Sequence, residues 1–342
     1  MNRFGYLRAT TLDEAFAALA TPGAQLIAGG ADLVPLLADR LAAPSQLVDI
    51  ARIPELHGIR YSVTDVLWLG ATTSLTEVMA HPAVQQHYGV LHQAIAESAS
   101  PQIRNLATIG GNLLQKPRCA YYRDAAFACL RRDGGDLCSA LAGDTSRHAL
   151  FGYGTPDATK TCVAVHPSDA VNALAAMDAQ VVLRNPTGER TVPISSFFVA
   201  PSTDPHQETS IAPNEIIVAI IAPPPPAGIR GTYIKLRDRA SYEFAIVSAA
   251  AVIAEDAGVV SHARLVLGGV AWGPWRVMAA ETALIGQPLT KENAAHAAQI
   301  ALQQAQALPD NAYKIPMAQA ALRRAILGEV HVASLASQEA RA

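Results

Sequence analysis

The chain has 342 residues, of which 50% are apolar and 16% are charged, and its net charge is −3. The length predicts two or three domains, and the apolar fraction excludes wholesale disorder. Charged residues usually make up roughly 25% of a soluble protein, so either the interior is large or another subunit covers part of the surface. The near balance of charge argues against nucleic-acid binding and against a membrane-surface role.

Neither a membrane span nor a signal peptide is predicted. The longest uncharged apolar run, at residues 244–254, is far shorter than the ~20 residues that a bilayer requires. The N-terminus has no apolar segment of the kind that a signal peptide contains.

Helix and strand patterns alternate along the chain. Thr11–Glu14 and Ser74–Glu77 have the capping-box pattern that begins a helix. Strand patterns cover residues 25–28, 47–50, 67–71, 180–183, 190–194, 231–235, 245–253 and 263–270. Helical patterns begin at residues 11 and 32 and cover residues 83–98, 167–177, 276–285, 291–307 and 314–327. Residues 115–156 lack a clear period and are predicted to be an inserted loop, whereas the proline run at 222–228 predicts a stiff hinge.

All four cysteines of the chain lie between residues 119 and 162. Three uses compete for such a group, namely disulfides, a zinc site and an iron–sulfur cluster. The C-x-x-C pair typical of zinc ribbons is absent from the sequence, and a chain this long needs no disulfides to hold its core. The spacing favours a metal or cluster site, but disulfides and unrelated buried thiols remain open.

Two glycine pairs stand at the ends of predicted strands, Gly29-Gly30 and Gly110-Gly111. Glycines at such a point let backbone N–H groups approach a phosphate, and a following helix N-terminus favours its negative charge. Neither segment has the G-x-G-x-x-G or Walker pattern. Each pair is therefore a candidate phosphate clamp, with an ordinary strand–helix turn as the alternative.

The order of these motifs identifies a family. The segments LIAGGADLVPLL, RNLATIGGNLLQ and HPSD resemble the flavoprotein subunit of the molybdenum hydroxylases, which include xanthine dehydrogenase and carbon monoxide dehydrogenase. The cysteine segment, with KLRDRASYEFAIVSAA and LGGVAWGPWR, resembles the flavin subunit of the periplasmic aldehyde oxidoreductases. In that branch the insertion binds a [4Fe-4S] cluster.

The resemblance implies an α+β fold with a two-subdomain FAD-binding unit and a C-terminal three-stranded sheet with a helical bundle. Residues 1–55 would form the first FAD-binding subdomain. Residues 56–222 would form the second, with an Fe–S insertion at 115–165. Residues 229–330 would form the C-terminal flavoprotein domain.

The resemblance also assigns site residues. The FAD pyrophosphate would lie against Ile27, Ala28, Gly29, Gly30, Ala31, Asp32 and Leu33, although the family commonly has Thr at the position of Ala31. A second clamp would comprise Thr108, Gly110, Gly111 and Asn112. Asp169 would bind polar groups of the flavin nucleotide, and Lys235 would lie near the flavin ring. The cluster ligands would be Cys119, Cys129, Cys138 and Cys162.

Two histidines and five arginines lie near the cysteines in the sequence. His148 and His166 are expected to be structural or to contact a cluster ligand, because four cysteines already complete a [4Fe-4S] set. The arginines either are solvated charges of a loop or compensate the charge of a negatively charged cluster. These residues are Arg118, Arg123, Arg131, Arg132 and Arg147.

The implied function is electron transfer within a heterotrimer. A large subunit would oxidise an aldehyde at a molybdenum cofactor, a small subunit would carry [2Fe-2S] clusters, and FAD here would pass electrons to an external acceptor. A 4-hydroxybenzoyl-CoA reductase-like or other aromatic or N-heterocycle hydroxylase is the alternative. The rival classes are a free-standing FAD oxidase and a zinc-stapled binding module. Export on a partner's signal would place the protein in the periplasm, with the cytoplasm as the alternative.

Overall fold

The computed structural model describes residues 1–62, 66–154 and 161–330. Within these residues the strands form three sheets of three, five and four strands. No helix of the described residues is long and apolar enough to cross a bilayer.

The first sheet is parallel and small. It contains β1 (Gly5–Arg8), β2 (Ala24–Ile27) and β3 (Gln46–Asp49) in the order β1-β3-β2. The connecting helices are α1 (Leu12–Leu19) and α2 (Leu33–Ala38). Thr11 caps α1 as predicted, since its hydroxyl accepts a hydrogen bond of 3.2 Å from the Glu14 amide. Leu12, Ala15 and Phe16 of α1 share a buried cluster with residues of the second sheet.

The second sheet is antiparallel and has the order β4-β5-β8-β6-β7. Its strands are β4 (Ile59–Arg60), β5 (Leu67–Gly70), β6 (Gln180–Asn185), β7 (Gly188–Pro193) and β8 (Ile216–Ala222). The predicted hairpin at 180–194 is confirmed, because β6 and β7 pair from Gln180↔Pro193 to Asn185↔Gly188. Strand β8 joins the two parts of the sheet, because it pairs with β5 on one side and with β6 on the other.

Eight α-helices of the described residues lie between β5 and β6 in the chain. In chain order they are α3 (Leu75–Ala80), α4 (Pro82–His87), α5 (Gly89–Ala96), α6 (Pro101–Leu106), α7 (Ile109–Leu114), α8 (Ala120–Arg123), α9 (Leu130–Asp133) and α10 (Asp169–Ala176), and the short α11 (Ile194–Phe197) follows β7. Ser74 and Glu77 form the predicted capping box before α3.

The prediction of one helix over residues 83–98 is wrong. The helix breaks at Tyr88, whose φ of −124° and ψ of 48° are not helical. Tyr88 is buried, and its hydroxyl donates a hydrogen bond of 3.2 Å to the carbonyl of Pro223. Gly89 follows directly and has a low helix propensity. Tertiary packing of the tyrosine therefore overrides a continuous helical pattern.

The cysteine insertion contains more local structure than the predicted loop. Besides α8 and α9 it has a 3₁₀ turn at Ser139–Ala142, and the backbones of Cys129 and Cys138 pair in an isolated antiparallel bridge. Residues 155–160 of the predicted insertion lie outside the described residues.

The third sheet has the order β12-β11-β10-β9, so the prediction of three strands is corrected to four. Its strands are β9 (Arg230–Leu236), β10 (Val247–Asp256), β11 (Val259–Gly268) and β12 (Trp275–Arg276). The missed strand has only two residues, too few for a periodic pattern. The helices are α12 (Met278–Leu284), α13 (Lys291–Ala301) and α14 (Lys314–Leu327), so the expected helix at 291–307 ends six residues early.

Lys314, at the start of α14, joins the C-terminal unit, residues 229–330, to the insertion. Its ammonium donates to the carbonyls of His148, at 2.8 Å, and Gly269, at 2.5 Å, and the residue is 1% exposed. Burial lowers the pKa of Lys314 to about 7. A neutral amine still has two N–H donors, so both hydrogen bonds survive loss of the proton.

We expect the stabilisation lost in Lys314→Met to grow between about pH 7 and pH 10. In this range the folded chain holds a neutral Lys314 while the unfolded chain holds a protonated lysine, so stability rises with pH. Urea unfolding of the full chain at pH 7, 8.5 and 10 measures the difference from wild type. The exposed Lys291→Met is the control and is expected to show no such trend. A constant difference for Lys314→Met would contradict the expectation.

Candidate functional site

The main cavity lies between the insertion, the start of α10 and the third sheet, and its volume is about 390 Å³. The insertion supplies Arg118 to Tyr121, Asp144, and Ser146 to His148 of its wall. Residues 165–167, Asp169 and the strand residue Ser248 also line it. Small-molecule sites commonly have volumes of about 300–1,000 Å³. The cavity therefore has the size for one ring system of a larger ligand.

Asp169, predicted to bind the flavin nucleotide, forms part of the cavity wall at the first position of α10. Ser168 is the N-cap of this helix, because its hydroxyl accepts from the Val171 amide at 3.0 Å. The Asp169 carboxylate accepts hydrogen bonds from Tyr233 at 2.6 Å and from Ser98 at 3.0 Å. Burial, followed by the nearby Asp169 charge, raises the pKa of Tyr233 well above its usual range, so Tyr233 remains a donor.

Lys235, predicted to lie near the flavin ring, stands behind Asp169. Its ammonium is 2.8 Å from the Asp169 carboxylate and also donates to the carbonyl of Glu97 at 3.0 Å. The lysine side chain is 1% exposed and is not among the residues that line the main cavity. The lysine charge therefore acts on the cavity through Asp169.

The first glycine segment presents free backbone donors. Gly30 has a φ of +70°, a conformation that favours glycine, and it turns the chain from β2 into α2. The amides of Gly29, Gly30 and Ala31 have no hydrogen-bond acceptor among the described residues. Adjacent unpartnered N–H groups at such a turn suit a phosphate group. This local structure fits the predicted pyrophosphate clamp.

The second glycine segment is organised differently. The amides of Gly110 and Gly111 donate to the Ala71 carbonyl at 2.9 Å and to the Thr108 hydroxyl at 3.2 Å. Asn112 accepts a hydrogen bond from Ser168 through its side-chain oxygen. The backbone N–H groups of Gly110 and Gly111 are thus already bonded within the protein. The segment can contact a ligand mainly through the Thr108 and Asn112 side chains.

The two glycine segments touch at Gly29. A Cβ atom on Gly29 would lie 1.7 Å from the carbonyl oxygen of Leu106, just before the second segment. The structure therefore brings the predicted clamps together, and glycine is required at position 29 for the close backbone approach.

Asp32 links the first glycine segment to the insertion, a contact that the sequence analysis missed. Its carboxylate accepts from the Lys116 amide at 2.7 Å and lies 2.7 Å and 2.8 Å from the guanidinium groups of Arg118 and Arg123. Arg118 in turn lies over the ring of Phe244, 4.5 Å from its centroid, and both residues line the main cavity. The predicted phosphate clamp and the main cavity are thus linked through Asp32 and Arg118.

The four cysteines line one small cavity in the insertion. All four are free thiols. Within the described residues, no group of three His, Cys, Asp or Glu side chains is placed to hold a metal ion. A single zinc ion needs ligand atoms about 2.3 Å from one point. The four cysteines therefore share one cavity, but they form no disulfide and are not placed to bind a single metal ion.

The surroundings of the thiols are buried and basic. Burial raises the pKa of Cys119 to about 12 and also raises the pKa values of Cys129 and Cys138. Thiols in this state are protonated and poor nucleophiles, which argues against a reactive redox thiol. Arg131 lines the same cavity, and its Nε and Nη2 atoms are buried without a hydrogen-bond partner. A negative group between the thiols would complete this environment.

The two histidines occupy different positions. His148 Nε2 lies 3.2 Å from the sulfur of Cys119. His166 Nε2 lies 3.2 Å from the carbonyl of Leu113, and its ring packs edge-on against Phe198. Burial lowers the pKa of His166 to about 4. His166 is thus a neutral structural group of the cavity wall, and only His148 of this pair contacts a thiol in the described structure.

Comparison with known proteins identifies the class as an FAD-binding subunit. Residues 2–225 match the FAD binding domain in molybdopterin dehydrogenase, and residues 232–329 match the CO dehydrogenase flavoprotein C-terminal domain. The chain therefore belongs to the FAD-binding subunits of the molybdenum hydroxylase family, which are subunits of oxidoreductases.

Individual relatives cover most of the chain. The aldehyde oxidoreductase FAD-binding subunit PaoB of Escherichia coli (strain K12) is 40% identical over 286 residues, 83% of this chain and 86% of that protein. The carbon monoxide dehydrogenase medium chain of Hydrogenophaga pseudoflava is 31% identical over 95% of this chain and 96% of that one. A solved structure of the Hydrogenophaga pseudoflava carbon monoxide dehydrogenase matches with a TM-score of 0.74 and 31% identity, covering 95% of this chain and 96% of that one.

We expect Gly29→Ala to weaken FAD binding at least about tenfold, equivalent to about 1.4 kcal/mol. The added methyl group cannot fit against the Leu106 carbonyl, so the glycine segments must separate. The flavin-to-protein ratio after gel filtration, followed by FAD titration, measures the loss. Gly135→Ala is the matched control, because nothing lies within 4 Å of a Cβ there. Full flavin retention in Gly29→Ala would contradict the clamp.

Proposed function

We propose that the chain is the FAD- and [4Fe-4S]-carrying electron-transfer subunit of a molybdenum-containing aldehyde oxidoreductase. The observation that carries this proposal is the position of Cys119. This cysteine lines both the cysteine cavity and the main cavity. A cluster held by the four thiols would therefore stand directly beside the expected flavin ring.

The donor set fits a [4Fe-4S] cluster better than the alternatives. Four cysteines are the usual complement of such a cluster. Disulfides would need the thiols in two pairs, whereas all four are free. The argument against a single zinc ion is that the thiols surround a space without closing on one point. The unpartnered Nε and Nη2 atoms of Arg131 would supply positive charge to a negatively charged cluster.

Two parts of FAD would bind at two places in the protein. The amides of Gly29, Gly30 and Ala31 would hold its pyrophosphate, with Thr108 and Asn112 beside them. The main cavity would hold the flavin ring against Asp169, whose carboxylate Tyr233 and Lys235 keep in one orientation. When bound, FAD joins one-electron donors to an acceptor that takes electrons in pairs.

The assignment to an aldehyde oxidoreductase rests on the 40% identity to the aldehyde oxidoreductase FAD-binding subunit PaoB. The partners we propose are a large subunit with the molybdenum cofactor and a small subunit with [2Fe-2S] clusters. The low charged fraction of 16% is consistent with a surface that other subunits cover. Electrons would leave to an external acceptor. We further propose a periplasmic location, reached by export with a signal-bearing partner.

We expect the full chain, prepared without oxygen, to contain about four irons and four labile sulfides, the complement of one [4Fe-4S] cluster. Cys138→Ser is expected to lose or convert the cluster and to retain FAD, because the glycine segments lie elsewhere. Iron and sulfide analysis, with electron paramagnetic resonance of the reduced protein, measures both. Ser139→Ala, which changes a neighbouring residue of the same cavity, is the control. Iron-free protein whose thiols titrate as disulfides would contradict the cluster.

We expect an aldehyde to bleach the visible flavin absorbance only when this chain is assembled with its two partners. The chain alone has FAD but lacks the proposed molybdenum centre, so its flavin should stay oxidised. Anaerobic mixing of each preparation with a range of aldehydes, followed by absorbance, tests this. The purified chain oxidising an aldehyde by itself would refute the electron-transfer role. An assembled complex that reduces its flavin only with N-heterocycles would refute the aldehyde assignment.

A further inference from the structure

His148 lies between the two cavities. It lines the main cavity, and its Nε2 atom is 3.2 Å from the sulfur of Cys119, which lines both. The residue is 4% exposed. Its contact with the sulfur is therefore shielded from water, where a hydrogen bond to a charged group has its largest effect.

The second ring nitrogen decides which one carries the proton. His148 Nδ1 is buried and has no hydrogen-bond partner in the described structure. A proton on Nδ1 would leave a buried N–H group without an acceptor, which is unfavourable. A proton on Nε2 avoids this cost and points at the sulfur.

The backbone of His148 is fixed from two sides. Its carbonyl accepts hydrogen bonds from Lys314 at 2.8 Å and from Asn311 at 3.1 Å, and its amide donates to the Thr145 carbonyl at 3.1 Å. These contacts tie it to the C-terminal unit. The ring position relative to Cys119 is therefore set by elements outside the cysteine cavity.

We propose that His148 is a positioning residue that donates a hydrogen bond from Nε2 to the thiolate of Cys119 and raises the reduction potential of the cluster. This inference rests on the proposed function, because it needs the cluster. A donor at a ligand sulfur stabilises the more negative, reduced state over the oxidised state, and hydrogen bonds to sulfur are among the factors that set cluster potentials. Cys119, the residue that His148 contacts, lines the main cavity as well as the cysteine cavity.

Three variants test this with the full chain carrying its cofactors. His148→Leu removes the donor, whereas His148→Gln can return an N–H group to nearly the same place. His206→Phe is the matched control, because His206 contacts the Leu130 carbonyl of the insertion and no thiol. Redox titration followed by electron paramagnetic resonance gives the midpoint potential, and iron and flavin analyses accompany each sample.

The expected result is a more negative midpoint potential for His148→Leu, with values near wild type for His148→Gln and His206→Phe. A loaded cluster at the wild-type potential in His148→Leu would overturn the inference and leave the proposed function intact. Wild-type protein without iron would overturn the proposed function itself. Iron analysis of the wild-type protein therefore distinguishes failure of the proposed function from failure of the inference about His148.

A measurement on wild-type protein covers the case in which His148→Leu does not hold a cluster. Protein with ¹⁵N-labelled histidine should show a nitrogen coupling to the reduced cluster in pulsed electron paramagnetic resonance. His148→Gln should lose that coupling and keep its cluster. No histidine coupling in a fully loaded wild-type protein would overturn the hydrogen bond.

Discussion

The carboxylate of Asp32 is the contact on which the arrangement of the site depends. It stands at the turn that bears the free amides of the first glycine segment, and it holds the insertion through Arg118, Arg123 and the Lys116 amide. These partners flank Cys119 in the chain. A shift of the phosphate clamp would therefore move the thiol nearest the main cavity, so the two proposed cofactor sites are mechanically joined.

The two glycine segments resemble each other in sequence but perform different tasks. In the first, Gly30 makes the turn and three amides remain free for an anion. In the second, the amide of Gly110 bonds to Ala71, where an added Cβ would come within 2.9 Å of the Ala71 carbonyl oxygen. Gly110 thus permits close packing of α7 against the end of β5. The absence of a hydroxyl at Ala31 leaves the first segment dependent on its backbone donors.

The sequence predicted much of the fold because local signals determine it. The Thr11 cap of α1, the capping box before α3 and the hairpin of β6 and β7 each depend on residues within a few positions of one another. The break at Tyr88 was not predictable in this way, since the bond that fixes it reaches Pro223, far along the chain. The two-residue strand β12 likewise forms only because β11 is already in place.

The candidate site shows the same division. The residue types and the motifs identified the cysteines, both glycine segments and Asp169 as candidates. Their partners came from the three-dimensional structure alone: Arg123 lies 91 positions from Asp32, and Tyr233 lies 64 positions from Asp169. A sequence pattern contains no signal for pairs at such separations unless related sequences are compared. The sequence likewise contained no sign that Lys235, expected to lie near the flavin ring, pairs with Asp169.

Lys235 and Asp169 form a buried ion pair at the wall of the main cavity. Removing two charges from water is costly, so such a pair gives little net stability, but loss of one partner leaves an uncompensated buried charge. Here the carboxylate also accepts from Tyr233 and Ser98, so all of these donors fix one orientation. The donors come from β9 and from the segment after α5, and the acceptor comes from α10. The pair therefore holds the third sheet against the FAD-binding unit at the wall where the flavin ring is expected.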